Sequence, residues 1–259
     1  MNFLICTDAE GISGVETLDA VLNTESPDYP HMRERLMADT NAAAKAAFDA
    51  GAEKVYVIDG HFQGRNFIKE KLDGRATQIT TRDFAWAVKD VQAAAIIGQH
   101  AMAGTMNAFL DHTQSSTRIH HYRFDGERIG EIMQVATFCG HFGVPVVALS
   151  GDEAACREAE RFISGIFTAS VKTANGRNKA ICIPEKEAEE RIYAAVKAGI
   201  ENRAAVKVIK PKLPYTVTIE FNRADYCEEH CADYPAFKRI DVYTAERVVT
   251  EINNYYEVM

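Results

Sequence analysis

Residues 2 to 14 read Asn2-Phe3-Leu4-Ile5-Cys6-Thr7-Asp8-Ala9-Glu10-Gly11-Ile12-Ser13-Gly14, a short apolar run that ends in two acids and a Gly-x-x-Gly turn. Such a run, bounded by turn residues, is typical of a buried β-strand. Asp8 and Glu10 would then point to the same side, because side chains in a strand alternate with period two. Two like charges side by side resist burial unless a cation, usually a divalent metal ion, lies between them. The stretch therefore predicts either a metal site or a solvated strand end.

Strand-like and helix-like segments alternate through the first two thirds of the chain. The strand-like segments at 3–7, 54–58, 93–97 and 144–149 alternate with helical patterns, which predicts βαβ units. The expected fold class is α/β, a three-layer α/β/α arrangement around a mostly parallel sheet.

The pattern changes after residue 167. Strict alternation over 212–221 predicts a strand with one buried face, which is typical of an antiparallel or mixed sheet. We therefore expect an α/β metal-binding catalytic domain at 1–167 and a smaller C-terminal α+β domain at 168–259. The polar segment 18–30 is expected to be a long loop.

Composition narrows the class of protein. The chain has 259 residues and a formal net charge of -8, with no Lys/Arg-rich tract, which argues against nucleic-acid binding. Its apolar runs are far shorter than a membrane span, and the N-terminus lacks the pattern of a secretory signal. Six irregularly spaced cysteines indicate free thiols in a reducing compartment. A cytoplasmic protein without a membrane or nucleic-acid partner is expected.

Three predicted strand ends carry side chains that can bind a metal. Asp8 and Glu10 follow the first strand, Asp59 and His61 the second, and His100 a third. The carboxyl ends of parallel strands meet at one edge of a sheet, so these residues are expected to converge. Carboxylate and imidazole ligands without thiolates suit Zn²⁺, Mn²⁺ or Co²⁺. The candidates are too many for one tetrahedral ion, which predicts a two-metal site with a bridging carboxylate.

Two further residues complete this hypothesis. Glu131 is the best candidate for a second carboxylate, although the helix dipole alone favours an acid in the first turn of a helix. His112 lies in a loop of small residues beside the predicted site and is interpreted as an acid/base group or nucleophile rather than a ligand. A surface loop histidine is the alternative.

These motifs resemble those of the zinc-dependent D-aminopeptidase family, the M55 peptidases, which are associated with dipeptide-transport operons. The order and approximate spacing match over nearly the whole chain. The segments that carry the resemblance are Asp8-Ala9-Glu10-Gly11-Ile12-Ser13-Gly14, Asp59-Gly60-His61, Gly98-Gln99-His100-Ala101, Asp111-His112-Thr113, Gly126-Glu127-Arg128-Ile129-Gly130-Glu131, Ala148-Leu149-Ser150-Gly151-Asp152 and Val171-Lys172-Thr173-Ala174.

The resemblance implies roles for individual residues. It implies protein ligands for two Zn²⁺ ions, with Asp8 as the bridge, Glu10 and His61 on one ion, and His100 and Glu131 on the other. His112 corresponds to the proposed nucleophile of the family, and Asp59 is expected to orient a ligand. The known member forms a ring-shaped decamer, so the resemblance implies a homo-oligomer here, with the decamer as the candidate state.

Three neighbouring positions depart from the family pattern. Gly60 and Asp111 stand where Ser is common, and Gln99 stands where Tyr is common. These changes lie beside the ligands, so they bear on substrate preference more than on metal binding.

The expected function is a dinuclear metal-dependent aminopeptidase that hydrolyses short peptides with an N-terminal D-residue of the D-Ala type. Two alternatives remain open. One is another two-metal hydrolase, an amidase or a phosphoesterase, because mixed carboxylate and histidine sites also serve phosphoryl transfer. The other is a metal-stabilised oligomer that binds peptides without cleaving them.

Overall fold

A seven-stranded sheet forms the centre of the computed structural model, which describes residues 1–62 and 64–259. Its strand order is β3-β2-β1-β4-β7-β8-β9. The strands are β1 (Asn2–Thr7), β2 (Lys54–Asp59), β3 (Thr77–Ile79), β4 (Ala93–Gln99), β7 (Val146–Asp152), β8 (Phe167–Ala174) and β9 (Ala180–Cys182). In that order, each strand from β3 to β8 is parallel to its neighbour, and the last strand, β9, runs antiparallel to β8. The prediction of a mostly parallel sheet is confirmed.

Helices cover both faces of this sheet. α2 (Tyr29–Asp49) and α6 (Glu185–Glu201) pack against each other on one face. The right-handed crossovers place three helices on the other face: α3 (Phe84–Asp90), α4 (Glu131–His141) and α5 (Glu153–Phe162). The predicted α/β fold with three layers is confirmed.

A short helix, α1 (Leu18–Leu22), lies where a long loop was expected. The side chain of Thr17 caps it by accepting a hydrogen bond from the Ala20 amide. The loop prediction was wrong here, because five residues are too few to display the helical period.

The smaller sheet has five strands in the order β11-β12-β10-β5-β6, and its neighbours are antiparallel. The strands are β5 (Ile119–Phe124), β6 (Glu127–Arg128), β10 (Tyr215–Phe221), β11 (Lys238–Arg239) and β12 (Thr244–Val249), and α7 (Ala224–Asp233) packs against them. β10 buries every second side chain, as predicted. β5 and β6 precede residue 167, whereas β9 and α6 follow it and belong with the larger sheet. The division into 1–167 and 168–259 stays a prediction.

The connections of the larger sheet diverge between β1 and β4. The chain leaves β1 through α2 to β2 on one side, and it passes from β3 through α3 to β4 on the other. In open α/β sheets this divergence opens a crevice at the carboxyl ends of the two strands. Polar residues that follow β1 and β4 are therefore placed at the position where ligands bind in such folds.

All six cysteines are free thiols. Among the described residues, none of the helices has the combination of length and apolar character that spanning a membrane requires.

Candidate metal centre

Four elements bring the predicted ligands together at the edge of the larger sheet. Asp8 directly follows β1 and His100 directly follows β4, its hydrogen-bonded neighbour. His61 comes two residues after β2, and Glu131 is the first residue of α4. These side chains lie in or beside a cleft of about 350 Å³.

The two carboxylate oxygens of Asp8 face two different groups of side chains. Oδ1 lies 3.2 Å from His61 Nδ1, and the same imidazole nitrogen lies 3.1 Å from Glu10 Oε2. Oδ2 lies 3.3 Å from His100 Nε2, which lies 3.4 Å from Glu131 Oε1. Asp8 is therefore shared between a pair formed by Glu10 and His61 and a pair formed by His100 and Glu131.

Each of these histidines has one ring nitrogen occupied by a backbone carbonyl. His61 Nε2 lies 3.3 Å from the Val21 oxygen, and His100 Nδ1 lies 3.1 Å from the Ala101 oxygen. A carbonyl can only accept, so the nitrogen facing it carries the proton. The other nitrogen of each ring faces the carboxylates, and when this nitrogen is deprotonated its lone pair is in the position that binds a metal ion.

The electrostatics of the cluster favour positive charge. Burial raises the pKa of Asp8, but the close contacts with His100 and His61 and the charges of these imidazoles outweigh burial and hold it well below its ordinary value. Burial lowers the pKa of both imidazoles, but the acids beside them raise it more, well above the usual range for His100 and to about 11 for His61. A site that holds protons this tightly is one that also favours divalent cations.

The donor set fits a metal ion. Glu10 Oε2 and His100 Nε2 are buried and have no partner of hydrogen-bond geometry among the described residues. Within that part of the chain, no Lys or Arg forms an ion pair with the carboxylates of Asp8, Glu10 or Glu131. Donor atoms of two groups lie within 4.8 Å of one another: Asp8, Glu10 and His100, and His100, His112 and Glu131.

His112 reaches the same cleft from its loop. Its Nδ1 lies 2.8 Å from the Leu110 carbonyl oxygen and therefore carries the proton. Its Nε2 lies 3.9 Å from Glu10 Oε1 and 3.8 Å from Glu131 Oε1. The lone pair of His112 thus faces the carboxylates, and its side chain is only 14% exposed. The surface-loop alternative does not describe this residue.

Asp59 is hydrogen-bonded to the loop that follows β2. Its carboxylate accepts hydrogen bonds from the Asn66 amide at 2.6 Å, the Phe67 amide at 3.2 Å and the Asn66 side chain at 3.0 Å. The Asn66 side chain also donates to the His61 carbonyl oxygen at 2.9 Å. Asp59 is therefore linked to the backbone of His61 through the Asn66 side chain, and among the described residues no hydrogen bond joins it to the imidazole.

Glycines allow close approach between the backbone segments from which the proposed ligand side chains project. A Cβ at Gly11 would lie 2.0 Å from the Gln99 carbonyl oxygen, and one at Gly151 would lie 2.1 Å from it. At Gly98, which has a φ of +78°, a Cβ would lie 2.3 Å from the Asp8 carbonyl oxygen. The strand ends are close enough to share a site because these three positions have no side chain.

Sequence reasoning missed two residues that support the site. Lys172 on β8 is buried, and its ammonium donates to the carbonyl oxygens of Glu10 at 2.9 Å and Val15 at 2.7 Å. The Gln114 amide donates to Glu131 Oε1 at 2.7 Å. Lys172 lies in a segment of the family resemblance, which is the only sequence signal that marked it; nothing local marked Gln114.

Fold and site together define an α/β protein with a cluster of carboxylate and imidazole side chains, a candidate metal centre, at the crevice between β1 and β4. The sequence model of the D-aminopeptidase family, Peptidase M55, matches residues 1–259, and the chain belongs to this family. The family expected from the motifs is confirmed, and the chain is an aminopeptidase, a hydrolase.

A sequence match and a structure match each cover nearly the whole length of both chains. A D-aminopeptidase of Bacillus subtilis (strain 168) is 26% identical over an alignment of 272 residues, and the alignment covers 97% of this chain and 97% of the relative. The solved structure of the Zn-dependent D-aminopeptidase DppA from Bacillus subtilis, a self-compartmentalizing protease, superposes with a TM-score of 0.92. It is 24% identical and covers 100% of this chain and 95% of that one, so the likeness supports the fold.

Proposed function

We propose that the protein is a metal-dependent D-aminopeptidase that cleaves the N-terminal residue from short peptides with the help of two divalent ions. The observation that carries the proposal is the position of Asp8, whose two oxygens face separate pairs of ligands. Asp8 would bridge the ions, Glu10 and His61 would hold one, and His100 and Glu131 would hold the other. Zn²⁺ is the first metal to test, because the solved relative is Zn-dependent.

His112 is the residue proposed to act on the substrate. Its Nε2 faces the cleft with a free lone pair, so it can attack the scissile carbonyl, or take a proton from an attacking water and return it to the leaving amine. The carbonyl contact at Nδ1 keeps the ring in this tautomer. When bound, the ions would polarise the scissile carbonyl and stabilise the negative charge that develops on its oxygen.

We further propose that the protein is a homo-oligomer, with the decamer as the state to test. The solved relative is a self-compartmentalizing protease. Apolar side chains are also exposed around the edge of the smaller sheet: Ile240 is 54% exposed, Val242 54%, Tyr243 49% and Val248 59%. Light scattering coupled to size-exclusion chromatography tests this, and a monomer at micromolar concentration contradicts it. The cytoplasmic location stays a prediction.

A substrate panel separates the proposed activity from its alternative. Purified protein loaded with Zn²⁺ is assayed with D-Ala-D-Ala, L-Ala-L-Ala and p-nitrophenyl phosphate. The proposal expects D-Ala-D-Ala to be cleaved fastest and the cleavage to stop when a chelator removes the metal. Hydrolysis of the phosphate ester alone would support another two-metal hydrolase. Activity that persists with no bound metal contradicts the proposal.

A further inference from the structure

A second cavity of about 350 Å³ lies beside the metal centre, between the smaller sheet and α7. Its walls are mainly apolar and aromatic, and we call it the apolar subsite. It is defined by Ile119, Tyr122, Ile219, Phe221, Tyr234 and Phe237. None of these residues belongs to the proposed metal or proton chemistry, so the cavity has no role in the mechanism described above.

The apolar subsite shares a wall with the cleft of the candidate metal centre. Gln114 and Ser115 line both this cavity and the cleft that contains Asp8 and His112. The Gln114 amide is hydrogen-bonded to Glu131 Oε1 at 2.7 Å, so the shared wall begins at a proposed metal ligand. The apolar subsite therefore adjoins the cleft in which the peptide is proposed to bind.

The charged groups of the cavity are already engaged or lie at its rim. Arg118 forms an ion pair with Glu229 at 2.6 Å. Arg247 donates to the carbonyl oxygens of Glu257 at 2.9 Å and Met259 at 2.6 Å. Asp233 is exposed at the rim, where it disfavours an acidic side chain. The surface left for recognition is therefore mainly apolar. Its lining residues also include three buried polar atoms without a hydrogen-bond partner among the described residues: Tyr122 Oη, His230 Nε2 and Arg247 Nε.

We propose that the apolar subsite holds a large apolar or aromatic side chain of the peptide, next to the bond that is cleaved. This inference rests on the proposed function, and it names the substrate class more narrowly than that function does. Filling an apolar pocket with a phenyl group instead of a methyl group removes several carbon atoms from water, and each additional methylene is worth roughly 10-fold or more in kcat/KM.

The first test compares D-Phe-D-Ala and D-Ala-D-Phe with D-Ala-D-Ala, using protein loaded with Zn²⁺. One of the two phenylalanine peptides is expected to have a kcat/KM at least about 10-fold above that of D-Ala-D-Ala. The position that gives the gain shows which side of the scissile bond faces the subsite. If both phenylalanine peptides are poorer substrates than D-Ala-D-Ala, the inference is wrong.

Two variants connect this preference with the cavity. Tyr234 is 58% exposed, so Tyr234→Ala should fold, and it is expected to lower the ratio of kcat/KM between the preferred phenylalanine peptide and D-Ala-D-Ala at least 3-fold. Ile119→Trp, which fills the cavity, is expected to lower the same ratio further. The matched control is Trp86→Ala, because Trp86 is also an exposed aromatic residue, at 47%, and lies on α3 away from the cavity. An unchanged ratio in both cavity variants overturns the inference.

A binding measurement separates failure of the subsite from failure of the proposed function. His112→Ala protein loaded with Zn²⁺ is titrated calorimetrically with each of the three dipeptides. Tighter binding of a phenylalanine peptide, without hydrolysis of any peptide by the wild type, would contradict the proposed function and support the subsite. Hydrolysis of D-Ala-D-Ala with no preference in either assay contradicts the subsite alone.

Discussion

The imidazole rings of His100 and His112 stack face to face, with centroids 3.8 Å apart and planes within 12° of parallel. Each ring donates through Nδ1 to a backbone carbonyl, so both Nε2 atoms point towards Glu131, at 3.4 Å and 3.8 Å. A residue proposed to hold a metal ion and a residue proposed to act on the substrate therefore fix each other's orientation.

His112→Ala is expected to lower kcat by about 100-fold or more, because it removes the proposed nucleophile or acid/base group. Metal content should stay near the wild-type value, since five other side chains surround the site. The measurement is kcat for D-Ala-D-Ala together with metal per chain, and His120→Ala, an exposed histidine, is the control. Loss of metal in parallel with loss of activity would show that His112 is a ligand.

Asp8→Asn is expected to remove most of both metal ions, whereas Glu131→Gln should remove mainly one. The reason is that Asp8 faces both pairs of proposed ligands, whereas Glu131 belongs to one pair, the pair that it forms with His100. Metal per chain, measured by mass spectrometry after dialysis, checks this. Glu190→Gln, which changes an exposed acid, is the control. Equal losses in the two ligand variants would contradict a bridging role for Asp8.

Lys172→Met is expected to lower the free energy of unfolding by about 2–4 kcal/mol, because it leaves the buried carbonyls of Glu10 and Val15 without a donor. It should also weaken metal binding, because the Glu10 backbone loses its anchor. Urea unfolding of metal-free protein and titration with Zn²⁺ measure the two effects. Lys179→Met, at an exposed position, should change neither. A destabilised variant with wild-type metal affinity would show that Lys172 is only structural.

Glu158→Gln is expected to change how stability depends on pH. Glu158 is buried, accepts a hydrogen bond from the Met102 amide at 2.7 Å, and burial raises the pKa of its carboxyl from 4.5 to about 7. The wild type therefore loses stability as pH rises from about 4.5 to about 7, because over this range the unfolded chain releases the proton that the folded protein keeps. The glutamine variant keeps the acceptor and does not ionise.

The advantage of Glu158→Gln over the wild type should reach up to about 3 kcal/mol above pH 7 and shrink as pH falls towards 5. Urea unfolding at several pH values, with equal metal content in both proteins, measures it. Glu190→Gln should show no such trend. A constant difference between the glutamine variant and the wild type from pH 5 to pH 8 would mean that Glu158 does not titrate in this range.

The convergence of the ligands could be predicted because the geometry is local. Asp8, His61 and His100 each follow an apolar strand, and parallel strand ends meet at one edge whatever lies between them in sequence. The motifs also identified the family, which the match over residues 1–259 confirmed. The roles assigned to individual residues stay predictions until metal content and activity are measured.

Other features depend on contacts that no local pattern contains. A lysine in a strand is usually solvated, and Lys172 is buried only because the turn after β1 folds over it. The smaller sheet pairs β5 with β10, nearly a hundred residues later, and sequence alternation does not specify a partner strand. The carbonyl that binds His61 comes from α1, a helix too short to be recognised from its period.

The contacts of Gly11 and Gly151 with the Gln99 carbonyl have a consequence for mutational tolerance. At either position a Cβ would lie about 2 Å from that oxygen, which is a backbone atom rather than part of a proposed ligand side chain. In a saturation library selected for activity, both positions should accept almost nothing but glycine, as the ligand positions should accept almost nothing but their own residues. Intolerance to substitution in this protein would therefore mark the backbone spacing of the strands as clearly as it marks the chemistry.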